Sequence, residues 1–391
     1  MTSRGAAVAL VAFAAFTDLV AYSVAVPVLP DLSRKLGASP TLIGLLFSSF
    51  GVTLVLVSVP MGSISDRTGR RLPLVAGMVA LTASTLLFAY ADTLAWLFAA
   101  RLVQGAADAV TWVVGFALVA DLHGPSERGK AMGLVMAGSN AGFMIGPSIG
   151  GWLYERGGME LPFLTTAAMA ALAAVGFVWL KPPSTQAARE PLSLTTVMQS
   201  RQVRACVLAV ILTGSTLAML EPVVALWLAA DIGLGPARIG LLFGVAAVAS
   251  TGLHPLYGRL ADRWGGRRLM LIGLVASALF LPVLTRAWSF ESAIALYIVM
   301  AATMSLIVTP SLSYMADAMS TVGVGSFGMA YGLYNFSWGV GLLIGPALGG
   351  FLYDSFGFTR LTLLWSPLVI VLTILIARAA SAAPASGPRP S

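Results

Sequence analysis

Four ionisable side chains lie inside long apolar stretches of this 391-residue chain: Asp18, Arg101, Asp108 and Glu221. On insertion scales an ionised group in the middle of a lipid bilayer costs roughly 2.5–3.5 kcal/mol, so each of them needs a partner or a function. A carboxyl group can take up and release a proton, and its ionised form can bind a cation. We therefore expect these four residues to be the sites of proton coupling.

Asp18 has no basic residue in its own apolar stretch. Desolvation disfavours the charged form of a lone buried carboxylate, which favours uptake of a proton from an acidic outside. An organic cation could neutralise the same group, and competition between the two would give exchange directly. The alternative is a passive helix contact in which Asp18 is bonded to nearby hydroxyls.

Arg101, Gln104 and Asp108 follow one another at positions i, i+3 and i+7, which places them on one face of a helix. Arg101 and Glu221 are predicted to lie at similar depth, where they could form an ion pair. That pair would either take part in coupling or merely lock two helices together. For Asp108, the alternative to a transport role is packing against a neighbouring hydroxyl.

Aromatic rings near these groups could hold an organic cation through the negative faces of their π systems. Tyr22 lies one turn beyond Asp18, and Trp112 lies one turn beyond Asp108. Such rings also serve as ordinary packing or lipid-facing residues, so this alternative stays open. The predicted substrate-binding residues are Asp18, Tyr22, Gln104, Trp112, Glu221, Tyr334, Asn335 and Trp338.

The elements that must position these residues are long apolar helices. Hydrophobic residues make up 58% of the chain and charged residues 10%, whereas a soluble domain carries about 25% charged residues. Apolar stretches of about 20 residues predict membrane-spanning helices. We predict twelve, at residues 6–30, 41–63, 72–91, 94–120, 131–154, 161–180, 205–228, 237–258, 269–287, 291–316, 326–353 and 360–380.

Three sequence blocks occur twice and in the same order. Residues 43–47 and 62–71 recur at 239–243 and 258–268, and residues 145–151 recur at 344–350. Duplicated blocks predict two homologous halves, and transporters with internal repeats bind substrate between them near mid-membrane. The predicted organisation is a six-helix bundle at 1–180, a linker at 181–204, a second bundle at 205–380 and a disordered tail at 381–391.

Basic residues predict the orientation. With the N-terminus in the cytoplasm, sixteen Lys and Arg residues lie in cytoplasmic segments and six lie in outer segments. This asymmetry favours two cytoplasmic termini. The first apolar stretch is too long for a signal peptide and contains Asp18, so it is predicted as a span. The short loops favour the inner (plasma) membrane of a bacterium.

The repeated polar loops are predicted to act as gates, and the glycine-rich blocks are predicted to act as hinges, in a conformational change. Opposite charges at helix ends could hold one side closed in one state and separate in the other, and the alternative is that the arginines only set orientation. Small residues let helices approach closely, and proline removes a backbone hydrogen bond. The predicted gating residues are Asp66, Arg67, Gly69, Arg70, Arg71, Asp262, Arg263, Arg267 and Arg268, and the predicted hinge residues are Gly142, Gly146, Pro147, Gly150, Gly151, Gly345 and Pro346.

The doubled block after the second and eighth spans resembles the signature loop of the major facilitator superfamily, and the resemblance covers essentially the whole chain. Residues 141–151 resemble the fifth-span block of the drug:proton antiporters within it, and residues 101–105 resemble their fourth-span arginine motif. Residues 218–222, and Asp18 nine residues before Pro27, are similar to the vesicular monoamine and acetylcholine transporters. The resemblance implies an all-α membrane protein of twelve helices in two pseudo-symmetric bundles. It also implies that Asp18 and Glu221 are cation and proton sites in a network with Arg101.

These observations predict a proton-coupled antiporter that exports drug-like or amine-like organic cations by alternating access, as a monomer. A carrier of a neutral or anionic metabolite, such as a sugar or organic acid, is the alternative, and a non-transporting membrane receptor is a third class. No Gly-x-x-x-x-Gly-Lys-Ser/Thr loop is present for ATP, and Cys206 is the only cysteine. We expect no enzyme activity, cofactor, metal or nucleic-acid partner.

Overall fold

The computed structural model describes residues 4–180, 197–320 and 327–381, and within these ranges the protein contains helices and no strand. The predicted tail from residue 382 onward and most of the predicted linker lie outside the described residues. The helices of the first half are α1 Arg4–Ser23, α2 Leu29–Leu36, α3 Pro40–Thr68, α4 Arg71–Tyr90, α5 Leu94–Leu122, α6 Pro125–Gly157 and α7 Glu160–Trp179. A 3₁₀ turn at Val26–Val28 connects α1 and α2.

The second half repeats this succession of helices. Its helices are α8 Arg201–Asp231, α9 Pro236–Trp264, α10 Gly266–Phe280, α11 Phe290–Ser320 and α12 Phe327–Ser381, with a 3₁₀ segment at Leu281–Arg286 after α10. α8 begins at Arg201, four residues before the predicted boundary, because the Ser200 side chain caps it by accepting from the backbone N–H of Val203. α12 is interrupted at Gly357, whose φ of 74° is left-handed.

Ten segments of the described chain are long and apolar enough to cross a membrane. One of them, Gly332–Ala379, covers parts of two predicted spans on either side of Gly357. α6 is not among the ten, although it has 33 residues. Its glycines, its serines and the charged first turn around Glu127 lower its hydropathy.

The helices pack in a way that follows the repeat. In the first half α1 packs on α6 and α7, while α4 packs on α5 and α7; in the second half α8 packs on α12, and α9 and α10 pack on α11. Two extensive contacts join the halves, between α3 and α12 and between α6 and α9. Because α9 is the repeat of α3, and the first part of α12 is the repeat of α6, these two are the same contact made twice.

Both contacts lie at the end of the molecule where α3 and α9 begin, which we call the tight end. There the Thr41 hydroxyl donates to the Asp354 carboxylate at 2.6 Å. At the other contact the Ala237 N–H donates to Glu155 Oε1 at 3.0 Å, and the Ser148 hydroxyl donates to the Gly240 carbonyl at 3.1 Å. The opposite end carries the repeated arginine-rich loops, and we call it the basic end.

Candidate functional site

Arg101 of α5 is fully buried and forms the centre of an aromatic enclosure. Its guanidinium carbon lies 4.1 Å from the ring centre of Phe47, 5.3 Å from that of Phe88 and 5.5 Å from that of Tyr22. Nη1 donates to Gln104 Oε1 at 3.0 Å, while Nε and Nη2 have no hydrogen-bond partner within the described chain. The faces of the rings therefore provide much of the stabilisation of this buried positive charge.

Tyr22 of α1 connects this enclosure to the second half of the chain. Its hydroxyl donates to Glu221 Oε2 of α8 at 2.6 Å, in a buried hydrogen bond. Among the described side chains, no nitrogen of Arg101 lies within 4.0 Å of a carboxylate oxygen of Glu221, so the predicted ion pair is not formed. Tyr22 contacts both residues instead. Arg101 lies over the ring of Tyr22 and Glu221 accepts from its hydroxyl, so the two charged residues share this tyrosine as a neighbour.

Asp18 of α1 is 1% exposed, and neither of its carboxylate oxygens has a hydrogen-bond partner in the described part of the chain. Its acidic neighbour is Asp108 of α5. The Trp112 Nε1–H donates to Asp108 Oδ1 at 3.1 Å, and the Trp112 ring stacks on Phe116 with 5.4 Å between ring centres. Two carboxyl groups thus meet without a basic residue between them, an arrangement that favours a proton or an external cation as the missing partner.

The predicted aromatic residues of α12 lie in a different environment. The Tyr334 hydroxyl is 3.0 Å from the Ser311 hydroxyl of α11, and its ring meets Trp338 edge-on at 6.3 Å. Trp338 packs over Gly214 of α8, and Asn335 is half-buried. Outside α12, the described contacts of Tyr334 and Trp338 are with α11 and α8, and none of these contacts involves Tyr22, Asp18 or Glu221.

Sequence reasoning did not single out Phe47, Phe88 or Tyr297 as site residues. Phe47 closes the aromatic enclosure around Arg101, and Tyr297 of α11 lies near Glu221. One signal was available, because Phe47 belongs to the repeated block and has Phe243 as its counterpart. By the same offset of 196 residues Tyr297 replaces Arg101, and Phe243 meets it edge-on at 5.1 Å. The same contact therefore occurs in both halves, with the charged Arg101 against Phe47 in the first half and the neutral Tyr297 against Phe243 in the second.

A small internal cavity of about 10 Å³ lies beside Arg101. Ser84, Thr85, Gln104 and Phe163 are among the residues that line it. A volume of this size is at the lower limit for one water molecule. The cavity therefore gives the enclosure room for a solvent molecule but not for an organic substrate.

At the basic end Arg70 is buried within a set of polar contacts. Its guanidinium bonds Asp66 at 2.6 Å, Asp121 at 2.9 Å and the Ser65 hydroxyl at 2.6 Å. These ion pairs stay within the first half of the chain and fasten the start of α4 to the ends of α3 and α5. Gly69, with φ of 81°, makes the turn between α3 and α4.

In each of the two arginine-rich loops, one arginine donates to a backbone carbonyl near the end of the last helix of its half. Arg71 donates to the carbonyl of Val178 at the end of α7, and Arg267 donates to the carbonyl of Ala377 near the end of α12 at 2.8 Å. Arginine donors at these positions satisfy carbonyls that a helix terminus leaves unpaired. The remaining predicted gating residues, which are exposed at the basic end, are Arg67, Asp262, Arg263 and Arg268.

The glycine-rich blocks lie at close helix contacts. A methyl group on Gly142 would overlap the carbonyl oxygen of Phe16 in α1, and one on Gly146 would overlap the Ser23 hydroxyl. Other residues of the blocks also lie at close contacts: Gly150 against Val24, Gly345 against Ser215, Gly151 against Pro236, and the carbonyls of Pro147 and Pro346 against Gly240 and Gly44. The blocks thus allow backbone to approach backbone both within and between the halves.

Within the described residues no group of three or more His, Cys, Asp and Glu side chains could hold a metal ion. Cys206 is a free buried thiol. The chemistry that the site offers is therefore that of carboxyl groups, one guanidinium and aromatic rings.

Comparison with known proteins finds relatives named as amine and acetylcholine transporters. The chain is 29% identical over 341 residues to the chromaffin granule amine transporter of Rattus norvegicus, covering 85% of this chain and 64% of that protein. It is 29% identical over 351 residues to the vesicular acetylcholine transporter of Homo sapiens, covering 84% of this chain and 65% of the relative. The chain thus spans just under two thirds of the length of these relatives.

Solved structures show the same fold at low sequence identity. A bacterial homologue of the human lysosomal transporter Spinster superposes with a TM-score of 0.78 at 14% identity, over 97% of each chain. The nucleoside transporter NupG superposes with a TM-score of 0.76 at 14% identity, over 95% of this chain and 99% of that chain. The sequence profile of the Major Facilitator Superfamily matches residues 11–205 and again residues 206–391. The chain therefore belongs to the Major Facilitator Superfamily, as an integral membrane protein that resembles the vesicular amine and acetylcholine transporters.

Proposed function

We propose that this protein is a proton-coupled secondary antiporter that exports organic cations, drug-like or monoamine-like, by alternating access. Its relatives named as amine and acetylcholine transporters support an organic cation as the substrate. The coupling to protons rests on the carboxyl groups described above.

The proposed architecture is twelve spans in two pseudo-symmetric six-helix bundles, residues 1–180 and 205–380, joined by a cytoplasmic linker at 181–204. Adding α6 to the ten apolar segments, and dividing the last segment at Gly357, gives twelve. The packing supports two bundles, because most helix contacts stay within one half and the two contacts between halves are related by the repeat.

The observation that supports the proposed mechanism is the buried environment of Asp18. Its carboxyl group is buried, faces Asp108 and lacks a hydrogen-bond partner within the described residues. An ionised carboxylate in such a place is stable only with a positive partner, and a protonated one is stable without it. A proton and a cationic substrate would therefore exclude one another at Asp18, which is the requirement for antiport.

The other site residues take supporting roles in this proposal. Asp108 with Trp112 would share the proton or face the cation. Glu221 would be a second proton site, whose ionised form is stabilised by the Tyr22 hydroxyl and the nearby Arg101. In the present conformation the oxygens of Asp18 are closed off from solvent, so exchange there requires a second conformation.

Alternating access would come from rocking of one bundle against the other. The tight end is held by backbone contacts at glycines, while the arginine-rich loops at the basic end would pair across the bundles when that end closes. We propose both termini on the cytoplasmic side of a bacterial plasma membrane, which places the basic end in the cytoplasm. We also propose that the protein works as a monomer.

A carrier of neutral or anionic metabolites is the less favoured function. An anion would need an accessible positive group in the substrate cavity. Arg101 is fully buried and enclosed by three aromatic rings, and the nearby spans contribute three acids. This balance of charge favours cations.

Transport by purified protein in liposomes with an imposed pH gradient tests the function. A panel of cationic, neutral and anionic compounds identifies the substrate class, and Asp18→Asn keeps the size of the side chain while removing its titration. We expect cation exchange driven by the gradient in the unmodified protein and its loss in Asp18→Asn. Asp92→Asn, at an exposed loop position, is the matched control and should transport normally. Full gradient-driven uptake by Asp18→Asn would refute the mechanism.

A further inference from the structure

An apolar groove of about 600 Å³ runs along the outer surface of the first half, away from the buried acids. α3 and α4 form its walls and α5 forms its floor, because α3 and α4 both pack on α5 but hardly contact each other. Small residues keep it open, among them Ala76 and Gly77 on α4 and Ala106 on α5. Its flank is exposed, as Leu72 is 65% and Ile64 is 44% exposed.

The groove matches one leaflet of a bilayer in length. Its α3 wall extends from Thr53 to Thr68, which is about 22 Å at the helical rise of about 1.5 Å per residue. One leaflet is about 15 Å thick in its hydrocarbon part and about 20–22 Å thick with its headgroup region. A lipid chain lying in the groove would thus reach from the membrane surface towards the bilayer centre.

Two exposed arginines lie at the mouth of the groove, and one of them is unpaired in the described part of the chain. Arg67 lies one turn from Ile64 and next to Thr68, and Arg71 precedes Leu72, so both arginines flank residues that line the groove. Both are exposed. Arg71 donates to the Val178 carbonyl, whereas Arg67 has neither a hydrogen bond nor an ion pair within the described residues. The neighbouring acid, Asp66, is already paired with Arg70 at 2.6 Å.

We propose that this groove binds one phospholipid with an anionic headgroup. One acyl chain lies along the small residues of α4 and α5, and the phosphate lies at Arg67, with Arg71 nearby adding positive charge. Arginine donors suit phosphate oxygens, and juxtamembrane basic residues attract anionic lipid. The bound lipid would join α3 to α4 along the groove, beyond the Arg70 ion pairs, because the two helices make few contacts with each other.

Native mass spectrometry of the whole protein released from nanodiscs tests this proposal. The nanodiscs contain phosphatidylcholine with an equal amount of phosphatidylglycerol, and the spectrum reports which lipid each molecule retains. We expect one phosphatidylglycerol to be retained preferentially by the unmodified protein. Arg67→Gln should reduce this preference about fivefold, the ratio that corresponds to one basic side chain near an anionic surface. Ala106→Phe, which fills the groove, should remove retention of both lipids.

Two control variants separate the site from general effects. Arg263→Gln removes the arginine at the repeated position of the second half, and Ala295→Phe adds the same ring at an exposed position of α11. Both should retain lipid as the unmodified protein does. Equal retention of phosphatidylcholine and phosphatidylglycerol, or an unchanged preference in Arg67→Gln, would overturn the headgroup assignment, and lipid retention by Ala106→Phe would overturn the groove itself.

Discussion

The buried ionisable side chains of this protein have different kinds of stabilising contact. Arg101 rests on the faces of three rings and donates to Gln104, whereas Glu221 accepts from Tyr22. Asp18 has neither kind of partner in the described chain. A group that is stabilised in the charged form holds its charge, while one without partners changes its charge with what it binds. On these grounds we propose that Asp18 is the group whose charge changes when substrate binds.

Tyr22→Phe tests the bridge between the enclosure and α8. The substitution keeps the ring that faces Arg101 and removes the hydroxyl that donates to Glu221. Hydrogen bonds to charged groups contribute about 1.5–3 kcal/mol, so we expect a lower thermal midpoint in detergent and slower gradient-driven transport. Tyr90→Phe, at a residue that is 61% exposed, should change neither. A variant as stable and as active as the unmodified protein would show that the hydroxyl contributes nothing.

The sequence identified the buried ionisable residues and, through helical spacing, three of their polar or aromatic neighbours, but it did not identify the phenylalanines around Arg101. Asp18, Arg101, Asp108 and Glu221 stand out because charge is rare and costly in apolar spans. Phe47 and Phe88 do not stand out, because apolar residues are common there and carry no signal of their own. The expected ion pair of Arg101 with Glu221 was inferred from depth alone, and depth does not reveal that Tyr22 contacts both.

At the scale of helices, the glycines of α6 decide how closely α1 can approach. Gly138 and Gly142 both face carbonyl oxygens of α1, at Ala12 and Phe16. This contact lies alongside the turn of α1 that carries Asp18 and Tyr22, so the glycines set the distance of those side chains from the rest of the bundle. In lipid, small residues at such contacts supply the packing that holds helices together.

Gly142→Ala measures how tightly this contact is packed. The added methyl group would overlap a backbone oxygen that cannot rotate away, and overpacking of this kind costs about 1–3 kcal/mol. We expect a clear loss of thermal stability in detergent. Gly133→Ala is the matched control, because it lies on the same helix with nothing within 4 Å of the added group, and it should be neutral or stabilising. Equal midpoints for the two variants would count against a close α1–α6 contact.

Helix ends were predictable where a local signal exists. Ser39 before Pro40 caps α3 by accepting from the Leu42 N–H, and Gly235 before Pro236 precedes α9. The start of α8 was placed too late, because the arginines of its first turn are as typical of a linker as of a helix. The repeat also misleads at one position, where buried Arg70 of the first loop is matched by Gly266, which packs closely against α11.

On the scale of the whole molecule, the repeated blocks are the two sides of one contact. Gly44 and its counterpart Gly240 face the carbonyl oxygens of Pro346 and Pro147, which are also counterparts of one another. Gly350 and Gly151 complete the pattern by facing the carbonyls of Pro40 and Pro236. A duplicated chain therefore closes one end twice with the same backbone surfaces, which explains why these blocks recur together.

The tight end must open if the protein works by alternating access. Thr41 and Asp354 meet there at 2.6 Å across the two halves, so cysteines at both positions should be joined by a short bis-thiol reagent in a Cys206→Ala background. We expect Thr41→Cys with Asp354→Cys to be joined efficiently and to lose transport in liposomes, and a reducible reagent should allow transport to be restored. Each single cysteine variant should keep its transport after the same treatment. If the joined protein still exchanges substrate at the rate of the untreated protein, opening of this end is not part of the cycle, because a covalent link of that length cannot span separated bundles.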